Sequence, residues 1–218
     1  MKYELLGNRD SLHIQVYNQL KDNILTGKLK PGESLNEQNI AKEMAISKSP
    51  VREALRELVQ EGLVVHHPRK SITVIDFTIK DIEEIIGLRA VIEEYAVSLC
   101  VSRLDAEDKK SLSSIVNQIY TTTQARDSSK STHLDLSLHE YLIQKTDHTR
   151  LIRTWKLLQS QTRVLLQMIA DLKVYADYSA DAHRELLERL FSGNTRTAKA
   201  AMKNHILAAG KNILKHFN

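Results

Sequence analysis

Residues 36–63 read NEQNIAKEMAISKSPVREALRELVQEGL, and their pattern determines how the N-terminal part of the chain folds. Its apolar residues recur at helical spacing in two short segments, separated by a tight turn at 45–47. The stripe of the second segment consists of Val51, Ala54, Leu55 and Leu58. The pattern predicts a helical hairpin whose second helix packs through one face only.

The opposite face of this second helix is polar and carries Lys48, Ser49, Arg52, Arg56 and Gln60. Such side chains can reach DNA bases and phosphates without disturbing the packing of the helix. We expect Ser47 or Ser49 to cap the helix and Gly62 to end it, while Pro50 is tolerated in the first turn. Periodicity alone leaves a purely structural hairpin as the alternative.

The flanking residues favour the nucleic-acid interpretation. Two β-rich runs at 63–67 and 72–75 enclose the basic segment PRKS at 68–71, which predicts a β-hairpin with Arg69 and Lys70 at its tip. Upstream, residues 30–33 (KPGE) have Pro and Gly where a type II turn favours them. With a further helix at 11–26, the layout is that of a winged helix-turn-helix.

The motifs G-x-L-x-P-G at 27–32, L-x-E at 35–37 and SKSPVREALRELVQEGLV at 47–64 resemble the GntR family of transcriptional regulators. The resemblance implies binding to a double-stranded DNA operator. We expect the contacts to come from Lys48, Ser49, Arg52, Arg56, Gln38, Arg69 and Lys70. Gln38 stands where some members carry arginine, and the hairpin tip lacks the glycine usual there, so the operator sequence stays open.

Composition limits what the whole chain can be. Seven Gly and three Pro in 218 residues are few, which predicts a largely helical protein. The net charge of +4 is spread evenly, with 11 basic and 9 acidic residues up to Ile75, so bulk charge gives no argument for nucleic acid. Cys100 is a lone cysteine that we expect to be a buried small hydrophobe. No apolar run has signal-peptide or membrane-span length, which predicts a cytoplasmic protein with no membrane partner.

The remainder of the chain predicts an all-α domain. Residues 76–78 form the expected linker between a first domain at 1–76 and a second at 77–218, and Thr78-x-x-Asp81 resembles a capping box. Residues 121–123 and 128–131 are interpreted as loops. The fold class is mainly α, with an antiparallel six- to seven-helix bundle after the winged domain. The helices are expected at about 78–103, 106–125, 131–146, 149–172, 181–191 and 195–215.

Four polar residues fall on apolar stripes of these helices. Asp135 and His139 are four apart among leucines, His183 aligns with Leu186 and Leu190, and His205 aligns with alanines. A buried carboxylate is costly unless it is paired or binds a metal. Each histidine by itself is explained by a hydrogen bond to a backbone carbonyl, and spacing does not show that the three helices converge.

Here the segments LDLSLHEYL, DAHRELLERLFSGN and AKAAMKNHI are similar to the FCD ligand-binding domain of the FadR-like GntR subfamily. The resemblance implies that Asp135, His139, His183 and His205 hold a divalent transition metal. Imidazole and carboxylate ligands suit Zn, Ni, Mn or Fe(II). The other bundle histidines, which do not match the pattern, are expected at the surface: His133, His148 and His216.

Arg89 lies on the inner stripe of the first bundle helix. It is expected to bind a small carboxylate effector, or alternatively to pair with Glu93 four residues on. Together these features predict a metabolite-responsive transcriptional regulator, with a repressor expected and an activator left open. It would act as a homodimer on a near-palindromic operator. The rival hypothesis is a metal-dependent hydrolase, against which no acidic residue is evident as a general base beside the metal ligands.

Overall fold

The chain divides into two compact units, Met1–Asp76 and Phe77–Asn218. The computed structural model describes residues 11–67, 72–170, 176–215 and 217. Each unit has its own buried apolar residues.

The first unit is a winged helix-turn-helix, as predicted. Its helices are α1 (Leu12–Leu25), α2 (Glu37–Glu43) and α3 (Lys48–Gln60). Its strands are β1 (Ser34–Leu35), β2 (Val64–His66) and β3 (Ile72–Val74), with β3 in the middle and antiparallel to both neighbours. Strand β1 was not predicted, because two residues are too few to show an alternating pattern. The wing tip with Arg69 and Lys70 lies outside the described residues.

The predicted stripe of α3 forms the centre of this unit. Val51, Ala54, Leu55 and Leu58 are all 0% exposed. Helix α1 packs against α3 and contributes its own buried Val16, Leu20 and Ile24.

The turns of this unit use left-handed backbone. Gly62 ends α3 as predicted, with φ of 68°, whereas Ala45 takes φ of 53° in the turn before α3. In the predicted type II turn, Gly32 has φ of 75° and the Glu33 N–H donates to the Lys30 carbonyl at 3.0 Å.

The expectation that a serine hydroxyl caps α3 is wrong. Ser47 occupies the N-cap position but makes no side-chain capping hydrogen bond, and the Ser49 hydroxyl instead donates to Glu53 at 3.3 Å. The capped helix of the pair is α2, where the Asn36 side chain accepts hydrogen bonds from the backbone of Gln38 and Asn39.

The second unit is the predicted helical bundle, and its described residues contain no strand. Its helices are α4 (Ile79–Cys100), α5 (Ala106–Gln124), α6 (Ser128–Lys145), α7 (Thr149–Ala170), α8 (Ala176–Phe191) and α9 (Thr195–Leu214). Helix α4 packs along α9 and also against α6 and α7, while α8 packs against α5 and α9. No helix in the described part of the chain is long and apolar enough to cross a membrane.

Helix ends in the bundle partly differ from expectation. The capping box of Thr78 and Asp81 is present in both directions. Residues 128–131 are the first turn of α6 rather than a loop, because the Asp127 side chain caps that helix and Arg126 turns the chain with φ of 56°. Residues 121–123 likewise belong to α5, and α8 begins at Ala176, five residues earlier than predicted.

Cys100 is buried at 0% exposure. Burial raises the pKa of its thiol to about 11, so the thiol is protonated at neutral pH. It is a small core side chain, as expected.

Helices α4 and α9 lie close together at Gly210, and this contact can be tested. A Cβ at Gly210 would lie 2.5 Å from Cγ2 of the buried Ile86. Alanine is normally better than glycine in a helix by about 1 kcal/mol. Overpacking here should outweigh that gain, so Gly210→Ala should lower the free energy of unfolding by about 1–3 kcal/mol, measured by urea denaturation.

The matched control is Gly87→Ala on α4, where an added Cβ meets no atom within 4 Å. This variant should raise the free energy of unfolding by up to about 1 kcal/mol. Equal or greater stability of Gly210→Ala would show that the two helices are not as close as described.

Candidate functional site

The structure brings four polar side chains from three helices of the bundle together. Asp135 and His139 come from α6, His183 from α8 and His205 from α9, and one ligand atom of each lies within 4.8 Å of the others. The ring centroids of His183 and His205 are 4.6 Å apart, and those of His139 and His205 are 5.4 Å apart. Such a cluster is able to hold a metal ion.

The cluster is buried in the bundle. Asp135, His139 and His183 are at most 2% exposed, while His205 is half-buried and its Nδ1 is inaccessible. Burial would raise the pKa of Asp135, but the hydrogen bond and charge of His183 outweigh it and hold that pKa well below its usual range. Asp135 Oδ1 lies 2.9 Å from His183 Nε2. The carboxyl group is therefore ionised, the form that binds cations.

His205 has the protonation state that a metal ligand needs. Burial lowers the pKa of His205 well below its usual value, and the charges of His183 and His139 lower that pKa further. A neutral imidazole can bind a metal through a ring lone pair. Nδ1 of His205 has no hydrogen-bond partner among the described residues, although it is buried. A bound cation would remove that cost.

Glu93 on α4 supports the cluster and was not assigned to it from the sequence. Its Oε2 lies 2.5 Å from His139 Nδ1, while Oε1 accepts hydrogen bonds from Arg89 Nε at 2.8 Å and Trp155 Nε1 at 3.2 Å. Burial would raise the pKa of Glu93, but Arg89 and His139 outweigh it and lower that pKa to about 2. Because His139 Nδ1 lies against this carboxylate, Nε2 is the ring nitrogen that is left to bind a cation.

From the sequence, no acidic residue is evident as a general base beside the ligands, and Glu93 is the acidic residue that the structure places there. Glu93 touches His139, but it is also bound by Arg89 and Trp155, which suits a carboxylate that orients a ligand. The predicted alternative for Arg89, a pair with Glu93, is present and buried. Its contact with an effector stays a prediction.

Among the described residues, the other histidines of the second unit do not join the three that converge with Asp135. His133 is exposed, and His148 is half-buried with its Nδ1 accepting the Leu151 N–H at 3.2 Å. His216 lies outside the described residues.

Inside the bundle, the buried Thr132 hydroxyl on α6 has no hydrogen-bond partner among the described residues.

In the first unit, the predicted DNA-facing side chains of α3 are exposed: Lys48, Ser49, Arg52, Arg56 and Gln60. The Arg52 guanidinium contacts the Glu37 carboxylate of α2 at 3.1 Å, and Lys48 Nζ approaches Gln38 Oε1 at 3.4 Å. These contacts join the outer faces of α2 and α3 into one polar surface.

Comparison with known proteins covers both units. The profile of the family described as "Bacterial regulatory proteins, gntR family" matches residues 12–74, and that of the FCD domain matches residues 84–208. The chain is 31% identical over 210 residues to the uncharacterized HTH-type transcriptional regulator YdhC of Bacillus subtilis, with 94% of this chain and 88% of that protein covered. It is also 31% identical over 176 residues to the gluconate operon transcriptional repressor of the same organism, covering 79% and 72%.

Solved structures share the fold. A GntR regulator from Rhodococcus sp. RHA1 aligns with a TM-score of 0.82 at 22% identity, over 95% of this chain and all of that one. McbR/YncC of Escherichia coli aligns with a TM-score of 0.77 at 22% identity, over 96% of this chain and all of that one.

The role of Glu93 gives a direct test. Glu93→Gln keeps the side-chain size but removes the buried negative charge that Arg89 Nε contacts at 2.8 Å, so the metal-free protein should lose about 3–5 kcal/mol of unfolding free energy. The pKa of Glu93 is lowered from 4.5 to about 2, so its stabilising contribution is complete above pH 4.5 and is lost as pH falls through 2. Urea unfolding at neutral and acidic pH measures both effects, and the loss should shrink in acid.

The neighbouring Glu94→Gln is the matched control. Glu94 is part-exposed, and its oxygens lie 3.6 Å and 3.7 Å from Lys199 and Lys203. Solvent screens such pairs, so the control should lose less than about 1 kcal/mol. Similar losses in the two variants would contradict the role given to Glu93.

Proposed function

The chain belongs to the GntR family of bacterial regulatory proteins, with an FCD domain, and is a transcriptional regulator and not an enzyme; we propose that it is a metal-dependent repressor that responds to a small organic acid. The observation that carries this proposal is the convergence of Asp135, His139, His183 and His205 inside the second unit. We place its action in the cytoplasm, on a double-stranded DNA operator.

DNA binding is assigned to the outer face of α3. Basic and hydrogen-bonding side chains there are exposed, and a recognition helix of this kind reads base edges from its N-terminal residues. In this proposal Arg52 reads the bases, and Arg56 lies beside it. Further contacts with the DNA come from Lys48, Ser49 and Gln38. Arg69 and Lys70 are assigned to the phosphate backbone. We propose repression because one relative is named a gluconate operon transcriptional repressor.

We propose that the protein acts as a homodimer, because a single winged domain reads only a short half-site. Leu88, Val91 and Tyr95 on one face of α4 support this, since they are 48–60% exposed and recur at helical spacing. A second copy covering that face would give a particle of about twice 24.9 kDa in light scattering. A mass of a single chain at micromolar concentration would contradict the dimer.

The metal proposal rests on the donor set and on the groups around it. Three imidazoles and one carboxylate suit Zn, Ni or Mn and leave coordination positions for a carboxylate effector. The Asp135 carboxylate is ionised, and the buried Nδ1 of His205 lacks a protein partner in the described chain. Arg89, close to the cluster through Glu93, is proposed to bind the anionic effector.

Substitution of Arg52 tests the DNA assignment. An arginine bidentate to guanine gives about 1–3 kcal/mol of discrimination, so Arg52→Ala should weaken binding to the operator far more than binding to random DNA. Lys70→Ala should weaken both and reduce the dependence of affinity on salt. Fluorescence anisotropy with operator and random duplexes measures these changes.

Lys80→Ala is a control for loss of one positive charge, since Lys80 is an exposed residue of α4. It should leave the ratio of specific to random binding unchanged. Unchanged operator affinity in Arg52→Ala would show that the recognition surface is wrongly placed.

The metal assignment is tested by elemental analysis of protein purified without chelator. The wild type should bind about one equivalent of a transition metal and gain thermal stability from it, because the metal binds the folded state. That gain should fade as pH falls, because protonation of the histidine ligands competes with the metal. His183→Ala should lose the metal and the effector response but keep DNA binding.

His133→Ala is the matched control, because His133 is an exposed histidine on α6, the helix that carries Asp135 and His139. It should keep wild-type metal content. Wild-type protein that binds no more than a trace of metal, even after addition of Zn, Ni or Mn, would contradict the metal site.

A further inference from the structure

A cavity of about 540 Å³ lies between α8 and α9, next to the cluster and not assigned to any function above. Its size falls in the range of small-molecule sites. The small side chains of Ala200 and Ala201 on α9 leave this space open. His205 lines the cavity and also belongs to the metal cluster, so it is shared by the two sites.

The charges of the cavity favour an anion. Its lining includes Arg189 of α8 and Arg196 of α9, against the single acidic residue Glu185. Arg189 and Glu185 are 4.0 Å apart and more than half exposed, so their mutual attraction is weak. Within the described chain, Arg196 makes no ion pair. It sits in the first turn of α9, where the helix dipole adds positive potential.

The rest of the lining is suited to a hydroxylated carbon chain. Thr197 and Asn204 provide hydrogen-bonding groups about two turns apart along α9, and the alanines provide an apolar surface between them. Arg196 and His205 are nine residues apart, so their backbones are about 13 Å apart along the helix. A ligand of about six carbons would cover this length once the arginine side chain reaches toward it.

We propose that the cavity between α8 and α9 is a second small-molecule site, which binds a polyhydroxylated metabolite carrying a phosphate or carboxylate. Arg189 and Arg196 hold the anionic group, because guanidinium matches both anions with paired hydrogen bonds. Asn204 and Thr197 bind hydroxyl groups. The site is distinct from the effector position on the metal.

The shared His205 couples this site to the metal, a consequence that rests on the proposed metal function. A ligand packed against His205 favours one position of the ring, and so it changes metal affinity. The same factor must then apply in reverse, so that metal changes the affinity of the ligand.

Calorimetric titration of the full-length protein, with and without Zn, tests the proposal. The probes are two pairs matched in carbon number that differ in charge: glucose 6-phosphate against glucose, and gluconate against sorbitol. At least one anion should bind with Kd below about 1 mM and about tenfold or more tighter than its neutral partner. The pair that shows the preference identifies phosphate or carboxylate as the recognised group.

Variants locate the binding. The double variant Arg189→Gln, Arg196→Gln should weaken anion binding about tenfold or more, and Ala200→Phe should block it by filling the cavity. Lys203→Gln removes one positive charge from α9 outside the cavity and should bind like the wild type.

Three results would overturn the proposal: no anion preference in the wild type, equal binding by the double variant, or binding that survives the arginine changes and requires Zn. The last result would place the anion on the metal and leave the function proposed above intact. A wild type that binds no metal, yet binds the anion through the arginines, would contradict the metal function and support the second site.

Discussion

The packing of the bundle depends on ionised side chains that are buried close together and must be neutralised by their partners. Glu93, Asp135 and three histidines come from α4, α6, α8 and α9, and Trp155 adds α7 through its bond to Glu93. An ionised group in such a place is tolerated only when partners or a metal satisfy it. Five of the six bundle helices therefore have to meet in one arrangement. We infer that a cation at the cluster stabilises the packing of the helices as well as the site itself.

The DNA-binding unit does not share this dependence. Its buried residues are apolar, with the α3 stripe at 0% exposure, and its exposed face carries the basic side chains. Packing and recognition thus use opposite faces of one helix. A change at the recognition surface should leave the fold of the unit intact, and a change in the metal cluster should leave its core intact.

Much of this structure could be predicted from sequence, because it depends on local patterns. The stripes of α3 and α4 and the capping box at Thr78 follow from residue spacing. The start of α6 was misplaced because Arg126 and Asp127 form the turn and cap without glycine. The role of Glu93 depends on α4, α6 and α7 coming together, which spacing on one helix does not show. The convergence of the four cluster residues likewise required the resemblance to a family or a structure.

X-ray absorption at the metal edge of Zn-loaded protein identifies the atoms that bind the metal in the cluster. Coordination by His139, His183, His205 and Asp135 predicts nitrogen and oxygen neighbours at about 2.0–2.2 Å, with the outer-shell scattering of about three imidazole rings. Replacing His205 should remove one ring from that pattern or release the metal. A spectrum with oxygen neighbours only, or one unchanged by His205→Ala, would show that these four side chains do not hold the metal.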